Sequence, residues 1–183
     1  MGRRKLLLEI DGKALVRWAV EAIAPHVGEV VVVTGPVDTA IRHALVGLAV
    51  RFVENPRPED GQGTSLAAGI KVLGAGVDAA LVALGDQPCL PPDVIPTLLA
   101  TFRRTGKPVV APVYRGTQGT PVLFAASVFP ELATLAGDAG ARRVVEREPS
   151  RVARVELDVD MPADVDTPED LARLAESREP RVQ

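Results

Sequence analysis

Hydrophobic and polar positions follow two alternating periods along the chain. Short apolar or alternating runs of strand length occupy residues 29–34, 50–54, 79–84, 108–113, 121–124 and 152–157. Segments with apolar residues at helical spacing lie between them, at residues 13–24, 38–45, 66–73, 95–102, 127–135 and 139–147, and a last helix begins at residue 168. Strands that alternate with helices predict an α/β fold with a single, mostly parallel sheet.

The segment A-A-L-V-A-L-G-D-Q-P, residues 79–88, combines an apolar run of strand length with a carboxylate directly after it. Its apolar run is too short for a membrane span and is typical of a strand covered on both faces, so Leu81, Val82 and Leu84 are expected to be almost fully buried. Asp86 follows that strand, and ligands of α/β sheets bind beyond the carboxyl ends of strands. Asp86 is therefore either a ligand for a cation or the cap of a turn.

Composition and charge limit the classes of function. The length of 183 residues and 46% hydrophobic content predict one domain, residues 1–176, followed by a frayed tail, residues 177–183. A net charge of -3, with four Phe, one Trp and one Tyr, argues against a nucleic-acid partner. Cys89 is the one cysteine, so no intrachain disulfide is possible. The absence of a long apolar run or signal peptide predicts a cytoplasmic protein with no membrane partner.

A glycine-rich turn precedes the third predicted helix. Gly61, Gly63, Thr64 and Ser65 lie where the polar loop of residues 56–65 opens onto that helix. Backbone N–H groups at such a position face a bound anion, and the helix dipole favours negative charge there. The alternative is a plain flexible loop with Thr64 as the helix cap.

Two further acidic residues precede the last predicted helix. Asp164 and Asp166 stand just before Thr167 and Pro168, a pair typical of a helix start. The two carboxylates either favour the helix dipole or complete a divalent-ion site with Asp86, because Mg²⁺ binds carboxylate oxygens. At the other end of the chain, the basic residues 3–5 alone indicate a solvated tail.

The ordered set of segments resembles the molybdenum cofactor nucleotidyltransferases, most closely the cytidylyltransferase branch. The segments that carry the resemblance are M-G-R-R-K-L-L-L, D-G-Q-G-T-S-L-A-A-G, A-L-V-A-L-G-D-Q-P, G-T-P-V-L-F, G-D-A-G-A-R and D-V-D-T-P-E-D-L. They cover nearly the whole chain in the family's order. The resemblance implies a doubly wound, Rossmann-like nucleotidyltransferase domain that binds a nucleoside triphosphate and Mg²⁺.

The resemblance also implies roles for individual residues. Asp86 and Asp164 would bind Mg²⁺, with Asp166 as a further ligand, and Asp86 and Lys5 would be the catalytic pair. The residues expected at the nucleotide are Lys5, Gly61, Gly63, Thr64, Ser65 and Asp86. Those expected on the acceptor side are Gly119, Thr120, Pro121, Asp138 and Arg142.

The implied reaction is transfer of CMP from CTP to the phosphate of molybdopterin, with release of pyrophosphate. CTP is preferred over GTP because residues 63–66 lack the G-P-L-A-G form that the family associates with guanine recognition. A molybdoenzyme is a further expected partner. Two alternatives stay open: a nucleotidyltransferase for another phosphorylated acceptor, and an inactive accessory protein that binds a cofactor precursor.

The chain departs from the family pattern at its start. The family has a strand and a glycine-rich loop, L-A-A-G-x-S-x-R, immediately before M-G-x-x-K, whereas this sequence begins at that Met. We therefore expect the N-terminal strand to be missing from the sheet, between the strands at residues 29–34 and 79–84. Either the start is clipped or catalysis is lost, and the persistence of Asp86, Asp164 and Lys5 favours the clipped start.

Overall fold

The structure is a computed structural model that describes residues 5–138, 140–165 and 167–178. The first half contains β1 (Glu9–Ile10), β2 (Lys13–Ala14), α1 (Leu15–Ile23), β3 (Val30–Thr34), α2 (Thr39–Ala44), β4 (Val50–Glu54), α3 (Gln62–Lys71) and β5 (Ala79–Val82). The second half contains α4 (Val94–Thr105), β6 (Val109–Tyr114), β7 (Thr117–Gln118), β8 (Val122–Ala125), α5 (Phe129–Leu132), α6 (Arg142–Arg147), β9 (Val152–Leu157) and α7 (Pro168–Arg178). The last helix thus extends into the segment predicted as a frayed tail, and residues 179–183 lie outside the described part.

The strands form separate hydrogen-bonded sheets. β3 and β4 pair in parallel as a two-stranded sheet, and β5, β8, β6, β7 and β9 form a five-stranded sheet in which β9 pairs with β6. The larger sheet is mixed, because β8 is antiparallel to β5 and β6 whereas β9 is parallel to β6. Among the described residues no ladder joins β3 to β5, the position at which the sequence predicts a missing strand. The predicted α/β class is confirmed.

The most deeply buried strand is β6. All six of its residues are buried, and its neighbour β8 places Phe124 in the core on one face and Leu123 on the other. By contrast, Leu81, Val82 and Leu84 are only half-buried, so the prediction of nearly complete burial was wrong. The physical reason is position, because β5 lies at an edge of the five-stranded sheet, whereas β6 has strands on both sides.

Local residues cap several helix ends, including the predicted start of the last helix. The Asp38 carboxylate accepts a hydrogen bond of 3.2 Å from the amide of Ile41 at the start of α2. Thr167 and Asp170 cap α7 reciprocally, since each side chain accepts a bond from the other's backbone amide. Gly106 ends α4 in the left-handed conformation, with φ of 62°. In the described ranges no helix combines the length and apolar character that crossing a membrane requires.

The start of α3 differs from the prediction. The helix begins at Gln62, and Gly61, with φ of 94°, is the residue before it. Thr64 is therefore not the cap but lies in the first turn, where its hydroxyl donates to the carbonyl of Gly61 at 2.8 Å. The residue before the helix is thus Gly61, three positions earlier than the predicted cap Thr64. Glycine adopts the positive φ that this turn requires at little cost.

Candidate functional site

The chain beyond β5 brings Asp86 against the N-terminal segment. The Lys5 ammonium donates to Oδ2 of Asp86 at 2.8 Å, and the two side chains are 12% and 24% exposed. Gly85 precedes the carboxylate, and a Cβ there would lie 3.3 Å from the side chain of Leu6. The pair is thus shielded from water on one side, where opposite charges interact more strongly than on an open surface.

The second carboxylate oxygen of Asp86 is in an unusual environment. Oδ1 is buried and accepts no hydrogen bond from the residues that the structure describes. A buried carboxylate oxygen without a partner is costly, so its presence in a folded protein calls for an explanation. Carboxylate oxygens are the ligands that Mg²⁺ and Mn²⁺ prefer, and a divalent cation at Oδ1 fits this donor.

Asp164 lies in a segment whose backbone contacts Asp86. The amide nitrogen of the Gln87 side chain donates to Oδ1 of Asp164 at 2.8 Å, and the backbone amide of Val165 donates to the carbonyl of Asp86 at 3.3 Å. Asp166, the other predicted ligand, lies outside the described residues. Within the described ranges no cluster of three or more His, Cys, Asp or Glu side chains could hold a metal. Asp86 and Asp164 stay the candidate donors that the sequence predicts.

The segment of residues 119–121 contacts Gln87, the same side chain that donates to Asp164. The hydroxyl of Thr120 donates to Oε1 of Gln87, and the Tyr114 hydroxyl donates to the carbonyl of Thr120 at 2.7 Å. Burial raises the pKa of Tyr114 to about 12, so this hydroxyl is a neutral donor at physiological pH. Gly119 packs so closely that a Cβ would lie 2.9 Å from the Tyr114 ring and from Sδ of Met161. Pro121 follows Thr120 through a cis peptide bond.

We refer to Lys5, Asp86, Gln87, Thr120 and Asp164 as the strand-end group. Sequence reasoning identified four of these five residues and missed Gln87, which is 8% exposed. The signal that could have found it was its place directly after Asp86, where a buried amide would need partners.

The glycine-rich turn is engaged with another part of the chain. The amide of Gly63 donates to the carbonyl of Gly137 at 2.8 Å, and the amide of Gly137 donates to the carbonyl of Asp60 at 2.9 Å. A Cβ at Gly63 would lie 2.9 Å from backbone atoms of Ala136. The Gly63 amide, expected to face an anion, is therefore already occupied, and the glycine is needed for close backbone packing.

The hydroxyls of Thr64 and Ser65 are also engaged. The side-chain amide of Asn55, 2% exposed, donates to the Thr64 hydroxyl at 2.9 Å and to the Ser65 hydroxyl at 3.0 Å. The backbone amide of Asn55 donates to the carbonyl of Thr34 at 2.8 Å, which ties the turn to β3. Asn55 was not predicted as a site residue, because at the end of β4 and before a proline it is typical of a turn.

Asp138 and Arg142 lie next to the glycine-rich turn. A Cβ at Gly61 would lie 2.6 Å from Oδ1 of Asp138. Nε of Arg142 donates to Glu146 at 2.6 Å, and this hydrogen bond raises the pKa of the exposed guanidinium further above its ordinary value. Together with Gln62, Arg143, Glu146 and Arg147 they line a groove of about 1050 Å³.

We refer to Gly61, Gly63, Asp138 and Arg142 as the glycine-turn group. Gly61 lies against Asp138, and Arg142 lines the same groove as Asp138. The predicted acceptor residues are therefore divided, with Gly119, Thr120 and Pro121 beside the strand-end group and Asp138 and Arg142 in the glycine-turn group.

Comparisons with known proteins agree with this architecture. The sequence model of the family described as MobA-like NTP transferase domain matches residues 1–153. The purine catabolism protein PucB of Bacillus subtilis is 33% identical over an alignment of 129 residues, and the match covers 65% of this chain and 59% of PucB. The chain thus matches less than two thirds of the length of this curated relative.

Solved structures share the fold over nearly the whole chain. Rv0371c of Mycobacterium tuberculosis, crystallised as a manganese complex, is 28% identical with a TM-score of 0.79, and the match covers 96% of this chain and 93% of that one. A Methanothermobacter nucleotidyl transferase is 24% identical with a TM-score of 0.76, and the match covers 94% of this chain and 84% of that one. The latter likeness shows the fold alone.

Proposed function

The chain belongs to the MobA-like NTP transferase domain family, and from this premise we propose that it transfers a nucleotidyl group from a nucleoside triphosphate to a phosphorylated acceptor. The predicted nucleotidyltransferase class is confirmed at the level of the family. One observation carries the proposal for this chain: Asp86 has one oxygen on Lys5 and the other buried without a partner in the described residues. That arrangement suits a carboxylate that binds a cation beside a fixed positive charge.

Asp86 and Asp164 would hold the divalent ion, for which we propose Mg²⁺. The ion, when bound, would neutralise charge on the triphosphate and on the departing pyrophosphate. The manganese complex of Rv0371c, a protein of the same fold, supports a divalent ion in this architecture. Asp166 remains a proposed additional ligand, two residues beyond Asp164.

The reaction needs no protein nucleophile. An oxygen of the acceptor phosphate attacks the α-phosphorus, a new P–O bond forms, and the bond from that phosphorus to the bridging oxygen breaks as pyrophosphate leaves. Lys5 would contact the triphosphate oxygens, and Thr120 with its neighbours Gly119 and Pro121 would border the acceptor. Positioning and charge neutralisation then supply most of the rate enhancement.

For the substrates we propose CTP as nucleotide donor and the phosphate of molybdopterin as acceptor. The resemblance of the ordered motifs supports both, and the segment of residues 63–66 supports cytidine over guanosine. Three arginines, Arg142, Arg143 and Arg147, line the groove next to the glycine-rich turn and would offer positive charge to an anionic acceptor. The acidic residues Asp138 and Glu146 line the same groove, and Glu146 already pairs with Arg142.

The test is an assay of pyrophosphate release with Mg²⁺ or Mn²⁺, each of the four nucleoside triphosphates, and molybdopterin or other phosphorylated acceptors. We expect release that requires both CTP and molybdopterin and gives a cytidine dinucleotide product. Release with a different acceptor alone would support the other transferase alternative. Binding of CTP without any release, for this chain and for one extended upstream, would indicate an accessory protein and contradict the proposal.

A further inference from the structure

Gln87 connects three segments of the strand-end group and has no role in the reaction described above. Its side-chain nitrogen donates to Oδ1 of Asp164 at 2.8 Å, and its side-chain oxygen accepts the hydroxyl hydrogen of Thr120. The residue is 8% exposed. Both polar ends of a buried amide are thus satisfied, by residues 77 and 33 positions away in the chain.

The chemistry of the partners fixes the orientation of the Gln87 amide. Asp164 carries only acceptors when ionised, so the NH₂ end must face it. The Thr120 hydroxyl can then donate to the carbonyl end of the amide. A reversed amide would place two acceptors against each other at Asp164, so only one orientation satisfies both partners.

Asp164 needs such a constraint if it is to bind a cation. Its side chain is exposed, and residues 160–165 form neither helix nor strand. An exposed carboxylate on an irregular segment loses rotamer freedom when it binds a metal, and that entropy opposes binding. A donor that already holds one carboxylate oxygen reduces this cost, and mutations of such outer partners typically lower metal affinity about 10- to 100-fold.

We propose that Gln87 is a positioning residue that aims the Asp164 carboxylate at the cation held by Asp86. Through Thr120 the same amide holds the 119–121 segment at the edge of this site, so one side chain sets the distance between cation and acceptor. This inference rests on the proposed function, since it requires that Asp86 and Asp164 bind one divalent ion.

The experiment measures Mn²⁺ affinity of the full chain without nucleotide, by calorimetry or by the spin resonance of free Mn²⁺. The variants are Gln87→Leu, Asp164→Ala and the double variant, with Gln87→Met as a second replacement that packs more adaptably. We expect Gln87→Leu to weaken Mn²⁺ binding about 10-fold. In the Asp164→Ala background the same substitution should cause no further loss, because its effect passes through Asp164.

Thr120→Val is the matched control, since it removes only the hydrogen bond from the Thr120 hydroxyl to Oε1 of Gln87 and leaves the bond to Asp164 in place. It should leave Mn²⁺ affinity within twofold of the parent, a difference of about 0.4 kcal/mol, and raise the KM for the acceptor. Equal loss from Gln87→Leu with and without Asp164 would indicate a general effect on folding and overturn the inference. Thermal unfolding of each variant checks for such a general effect.

Two further outcomes separate this inference from the proposed function. If Asp164→Ala weakens Mn²⁺ binding and neither Gln87 variant does, the positioning role is wrong and the metal site stands. If Asp86→Asn binds Mn²⁺ as tightly as the parent, the metal site itself is wrong, and the inference fails with it.

Discussion

The strand-end group and the glycine-turn group are held together in different ways. In the strand-end group, side chains bond to side chains across 33 to 81 positions of sequence, and a carboxylate oxygen of Asp86 is buried without a partner in the described residues. In the glycine-turn group, backbone amides bond to backbone carbonyls, and the Arg142 ion pair joins residues four apart on the exposed face of one helix.

The difference distinguishes a group that can bind a ligand from a group that only fixes the path of the chain. Long-range bonds between buried polar side chains are costly unless complete, so an incomplete set indicates a place for a ligand. The backbone hydrogen bonds of the glycine turn have both donor and acceptor within the protein, and together with the close packing of the glycines they fix the chain path. The proposed reacting centre is therefore the strand-end group, whereas the bonds of the glycine-turn group fix the local chain path.

The largest expected effect is that of Asp86→Asn on transfer. The substitution keeps the shape of the side chain but removes the charge that would hold the cation, so kcat should fall about 10²- to 10³-fold. Steady-state pyrophosphate release measures it. Asp93→Asn, an exposed carboxylate in the same connecting segment, is the control and should leave kcat unchanged. Equal rates for the parent and Asp86→Asn would move the reacting centre elsewhere.

The next effect concerns stability and tests the glycine-turn group. Gly63→Val places a side chain 2.9 Å from the backbone of Ala136 and should lower the free energy of unfolding by about 1–3 kcal/mol. Gly28→Val is matched to it, because nothing lies within 4 Å of a Cβ at Gly28. Denaturant unfolding measures both. A Gly63→Val variant of parental stability with weakened triphosphate binding would restore the turn as an anion site.

A smaller effect concerns Tyr114, the one tyrosine in the chain. Its pKa is raised to about 12 in the folded protein, above the ordinary value of 10.0. The folded state therefore binds this proton more tightly, and the resulting stability is complete below about pH 10 and lost as pH rises to about 12. Comparison of unfolding in this range with Tyr114→Phe isolates the contribution. Titration of Tyr114 near its ordinary pKa would mean that the ring is not buried.

The smallest expected effect is that of Arg142→Ala on folding. Its ion pair with Glu146 is exposed, so the melting temperature should not change measurably. If the groove binds an anionic acceptor, the KM for that acceptor should rise while kcat changes little. Glu146→Gln, which removes the partner charge, should leave the acceptor KM unchanged or lower it. A large loss of kcat in Arg142→Ala would place this surface in the reacting centre as well.

Local signals in the sequence were sufficient for the class of fold and for naming most of the candidate site residues. Alternating periods predicted the α/β order of elements, and the helix start at Thr167 was correct because its cap depends on a neighbour three residues away. Asp86 was identified because a carboxylate after an apolar strand is a local pattern. That Asp86 and Asp164 bind one ion stays a prediction.

What only the tertiary structure decided was which groups are neighbours. The chain has several apolar runs of strand length, and the burial of β6 rather than β5 depends on which strands pair beside each. The amide of Gly63 donates to the carbonyl of Gly137, 74 positions away. The two partners of Gln87 are 77 and 33 positions away, so no local pattern indicates them. Periodicity in the sequence indicates which face of an element a residue occupies. Chain topology sets the hydrogen-bond partner or the covering strand, and no short stretch of sequence indicates that topology.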